Sequence, residues 1–171
     1  QTIAYSRAPV IASHSSARAL SNHPRNLDDE QLFWIKENGG VVQTVALDLF
    51  VNKEKHEKYK NAIEKLEDKS NKEALEKMKK EFPPVNVSDF IDHIDYIKNK
   101  IGIDHVGISS DFDGGGGIEG WQDASETFNV TLELVNRGYT EEEISKIWSG
   151  NLLRVLDKVQ EISYALQNTK K

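Results

Sequence analysis

Cysteine is absent from all 171 residues, and that absence removes two possibilities at once. Neither a disulfide scaffold nor a thiolate metal site can be built. No apolar run is long enough to span a bilayer, so no transmembrane segment is expected. An excess of positive charge is missing too. Lys and Arg number 22 against 28 Asp and Glu, and the net charge of -6 argues against nucleic acid as a partner. A leader pattern is also lacking: the chain opens on Gln1, with neither a basic n-region nor an apolar h-region. It enters an apparent strand almost at once, and the expectation is a chain whose beginning has been removed. None of these absences fixes the compartment, so localisation is left open.

What is present is the composition of a soluble globular chain, 37% hydrophobic and 29% charged. The length suits one domain. "APVIAS", residues 8–13, reads as a buried strand that ends at His14. "DDEQLFWIKENGG" places acidic residues first and Gly39-Gly40 last, the pattern of a short helix. "VVQTVALDLFV", 41–51, is Val-rich and predicts a second strand. Residues 53–82 are dense in Lys and Glu and lack Gly; they predict a charged, exposed helical insertion that Pro83 and Pro84 terminate. Phe90, Ile91, Ile94 and Ile97 then recur at helical spacing, with Ser88 as a plausible N-cap and Gly102 as the stop. "HVGISS" is the third strand. "SETFNVTLELVNRGY" predicts a helix, and Thr140 with Glu143 forms a capping box for a last one that Gly150 could kink.

Strands alternating with helices predict parallel pairing with right-handed crossovers. Three such strands are too few, because a parallel sheet needs both faces covered and its edges managed. The expectation is therefore a single partial domain over 1–171, the last part of a larger α/β fold. His14, Asp48 and Asp111 each follow a strand, at the end where open α/β sheets and (β/α)8 barrels place their chemistry.

The stretch "DFDGGGG", 111–117, admits several readings. Gly115, Gly117 and Gly120 satisfy G-x-G-x-x-G, but no second strand with a ribose-binding acid follows. A P-loop lacks its Gly-Lys-Ser/Thr. An EF-hand starting at Asp111 fails at its fifth and twelfth positions, Gly115 and Gln122. Asp111 is then either a loop cap or a carboxylate that does chemistry, while Asp113 is expected to brace the turn with an Asx-type bond. His14 is either a structural hydrogen-bonding residue or a metal ligand. Ser15 and Ser16 lack the elbow of a serine nucleophile and read as a local cap. Arg25, beside the rigid Pro24, suits a bidentate grip on a carboxylate or is a surface arginine. His23, His56, His93 and His105 read as loop, surface, helix-face and strand-start residues.

"SRAPVIASHSSARAL" with "HPRN", then "DHIDYI", "VGISSDFDG" and "GYTEEEISKIWSGNLLRV", occur in order across most of the chain. Together they resemble the C-terminal part of the membrane dipeptidase (renal dipeptidase-like) metallopeptidases. The resemblance implies an amidohydrolase-type (β/α)8 TIM barrel, of which this chain supplies about three βα units. It implies two zinc ions that activate water for attack on the peptide bond of a dipeptide. By motif position, His14 matches a zinc ligand and Arg25 the holder of the substrate's C-terminal carboxylate. Asp111 matches the acid/base, and the glycines from Gly114 onward line the substrate's approach. The family's His-x-Asp pair, bridging Glu and other metal-binding His precede the "SRAP" segment and are not in this chain. Leu47-Asp48 stands where the renal relatives carry a substrate-facing aromatic.

The resulting expectation is a zinc dipeptidase as the complete protein, with this chain inactive alone. The missing N-terminal part of the barrel and a dipeptide are its partners, and a homodimer is an expectation of the same kind. The alternatives are a non-catalytic binding or interaction module that keeps the barrel without the metal, and a related amidohydrolase such as a deacylase.

Overall fold

The structure, a computed structural model, describes residues 1–168. Three parallel strands lie in the order β1-β2-β3: β1 Ile11–Ala12, β2 Val41–Val45 and β3 Val106–Ser109. Ile11 pairs with Val41, and Val42, Gln43, Thr44 and Val45 pair with Val106, Gly107, Ile108 and Ser109. The helices are α1 Thr2–Tyr5, α2 Asp29–Glu37, α3 Asp48–Val51, α4 Lys53–Glu64, α5 Lys72–Glu81, α6 Val87–Ile101, α7 Thr127–Asn136, α8 Glu141–Ser145 and α9 Asn151–Asn168. The molecule is thus an α/β fold of a three-stranded parallel sheet with helices, as the alternating pattern predicts.

Packing centres on α6. Phe90, Ile91, Ile94 and Ile97, spaced at three and four residues, share one stripe of that helix and are wholly buried. They join Val42 from β2, Ala46 just after it, Val106 and Ile108 from β3, and Leu32 and Ile35 from α2. Trp121 anchors the far side, with the Phe90, Phe112 and Trp148 rings 5.4–6.0 Å from it. Its Nε1 donates to Thr127 at 3.2 Å, so this large buried ring leaves no polar atom stranded.

Several boundaries differ from expectation, each for a local reason. The first residues form α1 rather than a strand. The strand expected over 8–13 pairs only at 11–12, because the Asn38 side chain takes the place of a neighbouring strand. It accepts from Val10 N at 2.7 Å and donates to Ala8 O at 3.3 Å. β2 ends at Val45, and the "LDLFV" end of the expected strand turns into α3, where Phe50 N and Val51 N both donate to Leu47 O. The N-cap of α6 is Asn86, not Ser88. Asn86 and Asp89 exchange side-chain and backbone bonds in a capping box at 3.1 and 2.9 Å. The charged segment is two helices, α4 and α5, with Asn71 capping the second at 3.1 Å. Gly150 closes a π-helical turn, Lys146–Gly150, between α8 and α9. The Thr140–Glu143 capping box forms as predicted.

Candidate functional site at the strand ends

The loops that leave β1, β2 and β3 gather at the C-terminal edge of the sheet. The loop after β1 is held by one buried amide. Asn26 Oδ1 accepts from Ser16 N at 2.9 Å, and its Nδ2 donates to Ser21 O at 2.9 Å and to Phe50 O at 2.8 Å. Leu27 N donates to Ser16 O and Arg18 N to Leu27 O, which closes the loop on itself. His93, buried on α6, adds a second tie. Its Nδ1 accepts from Ala17 N at 3.0 Å, so the ring proton sits on Nε2 and is donated to Val51 O at 2.7 Å. Burial holds the His93 pKa below its ordinary value and keeps the imidazole neutral. The helix-face residue of the sequence reading is thus a buried link between two loops.

His14 stands at the start of this loop. Its Nδ1 lies 2.9 Å from Ser13 Oγ, and its Nε2 faces Asp111 Oδ1 at 3.6 Å. The two residues come from loops on the outer strands and meet over β2. Their side chains stay accessible, at 39% and 22%. Asp111 is the one non-glycine residue with positive φ among the described residues, at 55°. That left-handed conformation is uncommon for a residue with a Cβ, although Asp tolerates it better than most.

The turn after Asp111 closes on its own carbonyl, which accepts from Gly114 N at 2.9 Å and Gly116 N at 2.7 Å. The expected bracing by Asp113 is thus carried out by the Asp111 backbone. Gly117 N donates to Ala46 O at 3.0 Å, which lays the glycine loop over the end of β2. The loop is therefore pinned at both ends.

Asp48 begins α3. Burial raises its pKa, opposed by the His56 ring, whose Nδ1 lies 3.4 Å from Asp48 Oδ2. The other oxygen, Oδ1, is buried without a hydrogen-bond partner among the described residues. His56, read from sequence as a surface residue, is the partner of this carboxylate. His105 spans from β3 toward β2, its Nδ1 2.8 Å from Gly40 O.

Arg25 and His23 share the Phe50 ring. The guanidinium carbon stands 5.0 Å from the ring centroid and the imidazole 4.0 Å from it. Burial first, then the charges of Arg25 and Lys53, lower the pKa of His23. Among the described residues no carboxylate pairs with Arg25. His14 and Asp111 are therefore brought together directly, while Arg25, on the loop that Asn26 fastens, meets the Phe50 ring and pairs with neither of them. Asn26 and His93 had no assigned role in the sequence. Their signals were position only: Asn26 follows Arg25 in "HPRN", and His93 faces the apolar side of "DHIDYI".

Among the described residues no group of three or more His, Asp or Glu could hold a metal ion. The donors present fit a share of such a centre rather than a closed one. His14 offers one ring nitrogen, its Nδ1 being engaged by Ser13, with a carboxylate beside it.

Comparison with known proteins shows the family to which these elements belong. The family model described as membrane dipeptidase (peptidase family M19) matches residues 1–170. Dipeptidase aclJ of Aspergillus oryzae is 35% identical over 164 residues, 95% of this chain and 33% of that protein. Dipeptidase 3 of Rattus norvegicus is also 35% identical, over 95% of this chain and 28% of its own length. Among solved structures, the probable dipeptidase PvdM from Pseudomonas aeruginosa superposes with a TM-score of 0.76 at 39% identity, covering 94% of this chain and 47% of that one. A metallo peptidase from Rhodobacter sphaeroides, liganded with a phosphinate mimic of the dipeptide L-Ala-D-Ala, superposes with a TM-score of 0.70 at 25% identity over 91% and 38%. The chain spans about a third of the length of the curated relatives it matches. With a family model over nearly its whole length, the chain belongs to the membrane dipeptidase family, peptidase family M19.

Proposed function

We propose that this chain is the C-terminal portion, about three βα units, of an amidohydrolase-type (β/α)8 barrel, and that the complete protein is a zinc-dependent dipeptidase. One observation carries the reading: His14 Nε2 and Asp111 Oδ1, from loops of strands that are not neighbours, stand 3.6 Å apart at the strand ends. Chemistry in such folds is carried at that edge.

Zinc, two ions in the complete enzyme, supplies Lewis-acid polarisation of the scissile carbonyl and a water of lowered pKa. His14 is the ligand this chain contributes, and the remaining ligands come from elsewhere in the complete protein. Asp111 takes a proton at a carboxylate oxygen and returns it to the leaving amine. Its exposed, left-handed position points that oxygen at the space beside His14. Arg25 holds the substrate's C-terminal carboxylate with a guanidinium fork, which selects very short peptides. The Phe50 ring beneath it restricts its motion. Gly114 lies where substrate passes Asp111. The isolated chain, with one zinc ligand, is inactive.

The test is zinc analysis of the complete protein together with hydrolysis of a panel of dipeptides and N-acyl amino acids. Stoichiometric zinc and dipeptide turnover are expected from the complete protein, with neither from residues 1–171 alone. A complete protein that binds no zinc and cleaves nothing is a non-catalytic module. One that prefers N-acyl amino acids is a deacylase.

A further inference from the structure

The four glycines after Asp113 are glycines for different reasons. Gly115 and Gly117 have φ of 95° and 115°, a backbone that side chains avoid. At Gly116 a Cβ would lie 2.2 Å from Ser110 O, a clash with the main chain. Gly114 has neither constraint: its φ lies outside the left-handed region, and no backbone outside its own turn crowds it. What occupies the space of its missing Cβ is the Asp111 carboxylate. A methyl there would lie 2.2 Å from Oδ1, 2.8 Å from Cγ and 3.0 Å from Oδ2.

We infer that Gly114 is a positioning residue, whose lack of a side chain lets the Asp111 carboxylate fold back over its own turn and face His14. Three features converge on that arrangement. The left-handed backbone at Asp111 turns the chain back, and its carbonyl accepts from Gly114 N and Gly116 N. The carboxylate then rests over Gly114, with Oδ1 toward the His14 ring. Asp111 Oδ1 is the atom nearest the absent Cβ and also the carboxylate oxygen that faces His14 Nε2. Any side chain at 114 therefore displaces the oxygen that does the work. The catalytic consequence rests on the dipeptidase reading; the placement of the carboxylate does not.

The test compares Gly114→Ala with Gly138→Ala in the complete, zinc-loaded protein, and repeats Gly114→Ala in an Asp111→Asn background. Gly114→Ala is expected to lower kcat about 10- to 100-fold, the scale of a misplacement near 1 Å. KM, zinc content and melting temperature should stay close to those of the parent. Gly138→Ala, strained by a φ of 81° but away from the strand ends, should lower the melting temperature and keep kcat within about two-fold. With Asp111 already Asn, adding Gly114→Ala should cost less than about two-fold, since residues acting as a unit are not additive. A crystal structure of the Gly114→Ala protein should show the Asp111 carboxylate turned away from His14. Additive losses in the double variant, equal kcat losses at 114 and 138, or a carboxylate that keeps its place would each overturn the inference. Should the parent protein hydrolyse no dipeptide, the functional reading fails on its own, and the crystal structure still decides the positioning.

Discussion

Asn26 donates to the main-chain carbonyl of Phe50 at 2.8 Å. That one bond makes the loop after β1, which carries His14 and Arg25, continuous with the turn after β2, which carries the ring under Arg25. The same side chain also caps Ser16 N and Ser21 O. Replacing it takes a hydrogen bond from three backbone groups, of which Ser21 O keeps His23 N at 2.7 Å as a second donor. Asn26→Ala is expected to cost about 2–4 kcal/mol, since each stranded buried group costs about 1–3 kcal/mol and the loop relaxes in part. Urea unfolding followed by circular dichroism measures it. A loss below about 0.5 kcal/mol, the range of a neutral surface change, would contradict the role given to Asn26.

His93 makes stability depend on pH. Its folded pKa is depressed by burial, so the unfolded chain takes up a proton that the folded chain refuses. Its contribution is full above the unfolded value of about 6.5 and is lost as the pH falls below it. His93→Gln can accept from Ala17 N and donate to Val51 O without titrating. Between pH 7.5 and pH 5 the parent is expected to lose more stability than this variant, by about 1 kcal/mol or more. Chemical denaturation at the two pH values gives the difference, and equal losses would count against a neutral buried His93.

Arg137 fastens α7 to α6. Its guanidinium reaches Asp92 at 2.7 Å, Asp95 at 2.6 Å and Glu133 at 2.8 Å, and donates to Ser88 O and Ser88 Oγ. Partial burial would lower its pKa, but the three carboxylates more than offset that and hold the group charged. Tyr139, its own pKa raised by burial and by its bond to Asp95, completes the cluster. Arg137→Ala is expected to cost about 2–3 kcal/mol, because the hydrogen bonds that join α7 to Asp92, Asp95 and Ser88 of α6 are lost together. Arg137→Lys should recover less than half, since an ammonium cannot fork across Asp92, Asp95 and Ser88. Thermal melts of the two variants separate these outcomes; equal melting temperatures for parent and Arg137→Ala would remove the clamp.

Arg25→Lys in the complete protein should raise KM about ten-fold for dipeptides with a free C-terminal carboxylate, with kcat little changed. C-terminally amidated dipeptides, already poor, should be unaffected. Steady-state kinetics on matched pairs decide this. An equal rise for both members of a pair would show that Arg25 does not read the carboxylate.

Repeating patterns in the chain were legible wherever a regular period faces a core. The stripe of α6 and the parallel order of three strands follow from side-chain spacing, because burial of apolar surface rewards only one helical or strand phase. The capping box at Thr140 was equally plain, since its two partners lie three residues apart. At the start of α6 the residues Asn86 and Ser88 both suit a cap, and the choice fell to Asn86 through its reciprocal bond with Asp89. Ser88 was left free to meet Arg137, a residue far along the chain.

The candidate site divides in the same way. The residue types after each strand, with His14, Arg25, Asp111 and the glycine run in order, stood in the sequence by themselves. The facing of His14 and Asp111 did not, because a carboxylate's direction depends on a left-handed turn and on bonds made across strands. The neutral state of His93 and the reach of Asn26 are likewise products of burial, which a linear chain does not contain. Local spacing set which groups could act; long-range packing set which of them face one another.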